Sequence, residues 1–168
     1  MWSTRGALSN APPQEPTNID QLQANSAQPL PTASSHRSGR AIILVVERDP
    51  QIRDLEAYFL NEAGFAVEFA ADGAAALEQA QRIRPDIIIT EVLVPKLDGL
   101  SLCRRVKSDA TLRDTVVLIF SILAVQSRAK EAGADSFLMK PLAEQRLVET
   151  VRQLLEQRRT SAIAGDKT

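Results

Sequence analysis

At 168 residues the chain is longer than a domain of ordinary size by about half a domain, which favours one domain with a tail over two domains. A formal net charge of -1, with 44% hydrophobic and 4% aromatic residues, offers no electrostatic case for binding nucleic acid or an anionic membrane. The single cysteine, Cys103, excludes an internal disulfide and a cysteine-cluster metal site, so a reducing cytoplasm is the expected compartment.

From Met1 to Arg40 the chain carries Pro12, Pro13, Pro16, Pro29 and Pro31 among Ser, Asn, Gln and Thr. Its apolar residues, such as Trp2, Ile19, Leu22 and Leu30, stand isolated. Such a segment cannot bury enough surface to offset its ordering entropy, so residues 1–40 are expected to be a disordered extension. No apolar run reaches the roughly 20 residues that span a bilayer, and the first residues lack the continuous apolar segment of a secretory signal.

At Ala41 the pattern changes. Ile42, Ile43, Leu44, Val45 and Val46 form a continuous run rich in β-branched residues, as in a strand covered on both faces. Asp49-Pro50 then supplies an N-cap and a first-turn proline, and Ile52, Leu55 and Phe59 recur at helical spacing toward Gly64. Ala66 to Ala70 reads as a second strand, and Asp72-Gly73 opens a helix through Ala76, Leu77 and Ala80.

Pro85 precedes a third strand, Asp86 to Thr90, which delivers Glu91 to the loop Val94-Pro95-Lys96-Leu97-Asp98-Gly99. A helix with Leu102, Cys103 and Val106 follows, then a fourth strand from Val116 to Phe120. A short helix around Gln126 to Ala132, a brief strand from Ser136 to Met139 and a last helix with Leu142, Leu147, Val151, Leu154 and Leu155 complete the alternation. Five strands alternating with five helices imply an α/β domain over residues 41–157, a doubly wound five-stranded parallel sheet with helices on both faces. Residues 158–168 are expected to form a disordered tail.

In such a sheet, functional groups gather outside the carboxyl ends of the strands, near the topological switch point. The strand ends supply Glu47, Arg48 and Asp49, then Glu91, then Ser121, then Lys140-Pro141. Each has a plain reading of its own: Glu47 to Asp49 as a helix cap, Ser121 as a turn residue, Lys140 as a solvated charge. Acids, a hydroxyl and a lysine arriving from four strand ends favour one charged pocket.

The order Ile43-Leu44-Val45-Val46, charged cluster and Pro50, Ala71-Asp72-Gly73, Pro85-Asp86, Pro95 with Asp98-Gly99, Ala132-Gly133-Ala134-Asp135 and Lys140-Pro141 resembles the response-regulator receiver domains of two-component signalling over residues 41–157. The resemblance implies a flavodoxin-like (β/α)5 fold. It also implies that Glu47 and Arg48 occupy the acidic pair that holds magnesium, and that Glu91 occupies the phosphoacceptor position. By the same resemblance Ser121 matches the switch hydroxyl, Phe137 the aromatic rotamer switch, and Lys140 the lysine that pairs with the phosphoryl group.

Three departures stand out. Magnesium needs near-octahedral oxygen ligation, whereas Arg48 is a permanent cation. Placed in the pocket, Arg48 would pair with Glu47 or Glu91, and magnesium binding at the remaining candidates Glu47 and Glu91 is expected to be weak or absent; alternatively Arg48 points to solvent. Glu91 extends its carboxylate by one carbon–carbon bond, about 1.5 Å, beyond an aspartate, which opposes in-line transfer that depends on positioning and metal charge. The longer side chain also reaches toward Lys140 and Ser121, so an imitation of the phosphorylated state and an inert scaffold are both open. Finally, Ile122-Leu123-Ala124-Val125 replaces a more polar loop, and these residues either form an exposed apolar patch or fill the space left by a shortened helix.

The resulting expectation is a stand-alone atypical receiver, not an enzyme, that acts by protein–protein contact without accepting phosphate. Its expected partner is a signalling protein, a histidine kinase or a separate output protein, with a homodimer as a further option and neither nucleic acid nor membrane involved. Two alternatives remain: a working phosphoacceptor using Glu91 or Asp49, and a flavodoxin-like ligand-binding module, disfavoured by the absence of a Gly-rich phosphate loop.

Overall fold

The computed structural model describes residues 39–141 and 143–165, the side chains of 163–165 excepted. The expected disordered extension therefore lies outside the described residues, save for its last two. Ten elements alternate along the chain: β1 (Ile42–Val46), α1 (Pro50–Glu62), β2 (Ala66–Ala70), α2 (Gly73–Ile83), β3 (Ile87–Thr90), α3 (Gly99–Ser108), β4 (Val116–Ser121), α4 (Gln126–Glu131), β5 (Ser136–Met139) and α5 (Glu144–Gly165). The strands pair in parallel in the order β2-β1-β3-β4-β5. This is the doubly wound, flavodoxin-like arrangement expected from the alternation, with its switch point between β1 and β3.

Alternation along each strand divides the core in two. Leu44, Val46, Ile88, Val117 and Ile119 face α2, α3 and α4, where Ala76, Ala80, Leu100, Cys103, Val106 and Ala129 cover them. Ile43, Val45, Ile87, Ile89 and Leu118 face α1 and α5, meeting Leu60, Leu147, Val151 and Leu154. Because β1, β3 and β4 are covered on both sides, their sequences read as unbroken apolar runs. Each fully buried Leu or Ile contributes about 1.5–3 kcal/mol of transfer free energy, so these three strands anchor the domain and fix where their ends emerge.

The helices start where aspartates can cap them. Asp49 accepts from the Gln51 and Ile52 amides, Asp72 from Ala75, and Asp98 from Leu100 and Ser101. At the opposite edge of the sheet, Asp86 accepts from Ile42 N at 2.9 Å and Asp135 from Val117 N at 2.7 Å, tying strand starts together.

Two elements differ from the sequence expectation. The inward face of α1 carries Glu56, Ala57 and Leu60, whereas Ile52 and Leu55, expected to face the core, are exposed beside Tyr58. The helix is rotated so that Glu56 meets a charge at the sheet edge, as described below. The last helix also runs on to Gly165, through residues assigned from sequence to the tail. Gln157, Arg158, Arg159 and Ala162 are compatible with helix and no proline intervenes. Arg158 also pairs with Asp86 under the sheet, giving the extra turns a tertiary anchor.

Candidate functional site

The register of β1 and β3 aligns Val46 with Thr90, so the next residues, Glu47 and Glu91, emerge side by side across the switch point. The Glu91 amide donates to Val46 O at 3.1 Å, and the Glu47 amide to Ala70 O at 3.3 Å. From the other side, the Lys140 amide donates to Ser121 O at 2.8 Å, joining the ends of β4 and β5. Backbone pairing alone thus gathers residues far apart in the chain at one sheet edge.

The loop after Glu91 is folded tightly against its neighbours. Gly99 N donates to Val92 O at 2.9 Å, and a Cβ at Gly99 would collide with the Glu91 carbonyl oxygen. A Cβ at Gly73 would likewise collide with the carbonyl of Leu97. Only glycine permits these approaches, and they hold the backbone of Glu91 in place. Thr90 Oγ1 adds a hydrogen bond to Glu91 O at 2.9 Å.

Glu91 is buried, and its carboxylate is surrounded by donors. Oε1 accepts from the Val92 amide at 2.7 Å and from the Ser121 hydroxyl. Oε2 accepts from the Ile122 amide at 3.3 Å and lies 3.8 Å from Lys140 Nζ. Ser121 is fully buried, and its hydroxyl also accepts from Leu123 N at 3.1 Å. The longer side chain of Glu91 therefore meets Ser121 directly, with Lys140 a little farther off.

Lys140 has nearer partners. Its ammonium donates to Glu47 Oε2 at 2.8 Å and stands 2.9 Å from Glu56 Oε1, with the Phe120 ring centroid 4.7 Å away. Side-chain exposures of 10% for Lys140, 5% for Glu47, 7% for Glu56 and 8% for Glu91 place all four in a poorly solvated cluster, where charge interactions are strong and unpaired charge is costly. Burial pulls the Lys140 ammonium down, but Glu56 and Glu47 outweigh it, and its pKa ends above the usual 10.5. Burial raises Glu56 above 4.5; Lys140 opposes the rise, and Glu47 and Glu91 add to it.

Glu56 is the member of this cluster that the sequence reading missed. Its signal was present: an acid four residues after Ile52 and four before Leu60, on a helix stripe otherwise suited to burial. A stripe drawn through Ile52, Leu55 and Phe59 passed beside it.

Of the other expected site residues, Arg48 is exposed and, among the described residues, makes no ion pair. Of the two expectations for Arg48, the pairing with Glu47 or Glu91 is not formed and the side chain faces solvent; Lys140 pairs with Glu47 instead and lies 3.8 Å from Glu91. Successive residues at a strand end leave on opposite sides, and Glu47 has the inward one. Asp49 is also exposed, its carboxylate engaged in capping α1. Phe137, in β5, is half-buried against the α2–α3–α4 side of the core. After Ser121, Ile122 is exposed while Leu123 and Val125 pack inward against the same side, so each of the two readings of that stretch describes part of it.

The cluster does not suit magnesium. Among the described residues no group of three or more His, Cys, Asp or Glu is placed to hold a metal ion. The ammonium of Lys140 occupies the space between the carboxylates that would have to approach such an ion to about 2.0–2.1 Å.

Comparison with known proteins places this geometry. The family model described as response regulator receiver domain matches residues 43–152. The DNA-binding dual master transcriptional regulator RpaA of Synechocystis is 36% identical over 124 residues, covering 72% of this chain and 51% of that protein. Response regulator MprA of Mycobacterium leprae is 40% identical over 116 residues, covering 67% of this chain and 50% of that one. The chain thus spans about half the length of the curated relatives it matches. A solved receiver domain of a signal transduction histidine kinase from Syntrophus aciditrophicus superposes with a TM-score of 0.66 at 35% identity, covering 70% of this chain and 91% of that one.

Proposed function

This chain belongs to the response regulator receiver domain family of two-component signalling, and from that premise we propose that it is an atypical receiver, with Glu91 serving as a fixed anion in the phosphoacceptor position. The observation that carries the reading is the occupied pocket: the Glu91 carboxylate takes the Ser121 hydroxyl and the Val92 and Ile122 amides as donors. A phosphoryl group on a shorter aspartate would need the same kind of hydroxyl, amide and ammonium partners. With the hydroxyl and the amides engaged, Glu91 holds part of that contact pattern permanently, though with a single negative charge and fewer acceptor oxygens.

The Lys140 ammonium lying between the carboxylates supports the same reading, since phosphoryl transfer is driven by positioning and charge neutralisation. Asp49 is a poor substitute nucleophile because its carboxylate is committed to the cap of α1. Output then falls to protein contacts with a histidine kinase, a separate output protein or a second copy of the chain. The described residues hold no helix long and apolar enough to cross a membrane.

The test is direct. The full chain is incubated with acetyl phosphate and Mg²⁺ and the intact protein is weighed; the expected spectrum shows no added phosphate. A stable phosphate adduct on Glu91 or Asp49 would refute the proposal in favour of a working phosphoacceptor.

A further inference from the structure

The buried cluster holds three carboxylates and one ammonium, and the carboxylates are not served equally. Glu91 has two backbone amides and a hydroxyl as donors, while Glu47 has Lys140 and the Asp49 amide at 2.9 Å. No hydrogen-bond donor is directed at Glu56 Oε1, although it is buried and Lys140 Nζ lies 2.9 Å away. Of the three, Glu56 therefore depends most on the ammonium charge. In return it pulls Lys140 toward α1 and away from Glu91, which is left at 3.8 Å, beyond hydrogen-bond reach.

We propose that Glu56 is a positioning residue which, together with Glu47, sequesters Lys140, so that the Glu91 carboxylate is held by neutral donors and not hydrogen-bonded by the ammonium. This deepens the reading of Glu91 as a fixed anion and rests on it for its functional meaning. A lysine poised between β4, β5 and β3 could neutralise whatever anion stands at the end of β3. Here it is committed to two buried acids from β1 and α1 before Glu91 can compete. Any phosphoryl group placed at the end of β3 would likewise not find its lysine free.

The neighbours on every packed element agree with this division. Glu47 comes from β1, Glu91 from β3, Phe120 from β4 and Lys140 from the end of β5. The charged residues between α1 and α5, Glu62, Glu144, Glu149 and Arg152, share their groove with Phe59 and Ala63 at the far end of α1.

The test compares the full-length parent with Glu56→Gln, Glu56→Asp and Lys140→Met by amide NMR, with the Val92 and Ile122 amides as reporters of Glu91. In Glu56→Gln, Lys140 turns to Glu91, so both reporters shift; amides at the opposite sheet edge, such as Ile42 and Val117, stay in place. Restoring the charge with Glu56→Asp moves the reporters back toward their parental positions. Adding Glu56→Gln to Lys140→Met, or to Lys140→Gln should the methionine variant not fold, shifts neither reporter. Reporters that stay still in Glu56→Gln, or that shift equally without the lysine, overturn the proposal. Phosphate uptake at Glu91 in the mass measurement would sink the fixed-anion reading while leaving these shifts interpretable.

Discussion

Replacing Lys140 with Met keeps an apolar stem of similar length and deletes, among the described residues, the one cation within 4 Å of three buried carboxylates. In the parent its ammonium lies 2.8 Å from Glu47, 2.9 Å from Glu56 and 3.8 Å from Glu91, with each side chain no more than 10% exposed. Breaking a buried pair by removing one partner costs about 3–5 kcal/mol, and loss of the Phe120 contact adds about 0.5–1 kcal/mol. Total stabilities of about 5–15 kcal/mol make this a large fraction. With a urea m-value of about 2 kcal/mol/M, a loss of about 4 kcal/mol lowers the unfolding midpoint by about 2 M.

The loss must also depend on pH. Burial already holds Glu56 above 4.5 in the native state, with Lys140 opposing and Glu47 and Glu91 reinforcing the shift. Its folded pKa is therefore raised, and the stability it contributes is complete below the unfolded value of 4.5 and is lost as pH rises through the folded pKa. Without Lys140 the opposing pull vanishes and Glu56 rises further, so a native proton offsets more of the damage in acid. Urea titrations of parent and variant at about pH 8 and about pH 5 should show the deficit shrinking in the more acidic buffer. A deficit under about 1 kcal/mol at the higher pH, or an equal deficit at both, would refute the cluster as a strongly coupled buried site.

Three further outcomes follow from local geometry. Gly99→Ala places a methyl against the Glu91 carbonyl oxygen and should cost about 1–3 kcal/mol while shifting the Val92 and Ile122 amides, measurable by urea unfolding and NMR together. Asp49→Ala removes the cap of α1 and should cost about 1 kcal/mol with those amide signals unchanged, separating capping from any role in the pocket. Burial pushes the Cys103 thiol up to about 11, and its Sγ contacts Ala132 O at 3.3 Å. The native chain should accordingly resist iodoacetamide in mildly alkaline buffer and react once unfolded in urea, as read by intact mass.

The fold was largely legible in the chain because its signals are local. Short runs rich in β-branched residues, such as Ile43 to Val46 and Ile87 to Ile89, suit strands covered on both faces, and Asp49-Pro50, Asp72-Gly73 and Asp98-Gly99 mark helix starts by backbone chemistry. Glu91, Ser121 and Lys140 were legible for a related reason: each sits one step past or at the end of such a run, where a parallel sheet presents its functional groups. The end of α5 was not, because polar helix formers read equally well as a tail until Arg158 is seen to meet Asp86 beneath the sheet.

The sequence by itself determined which residues arrive at the carboxyl edge and that an acid longer than aspartate stands after the third strand. Only the tertiary structure decided how those charges are shared. Arg48 and Glu47 are neighbours in the chain, yet one faces solvent and the other a lysine 93 residues away. Glu56 joins them because α1 turns the face carrying Glu56, Ala57 and Leu60 inward and its apolar Ile52 and Leu55 outward. A helix's rotation about its axis depends on every surface it packs against, and periodicity in a short amphipathic segment leaves it open by a residue in either direction. That rotation gives Lys140 a second partner, Glu56, nearer than Glu91.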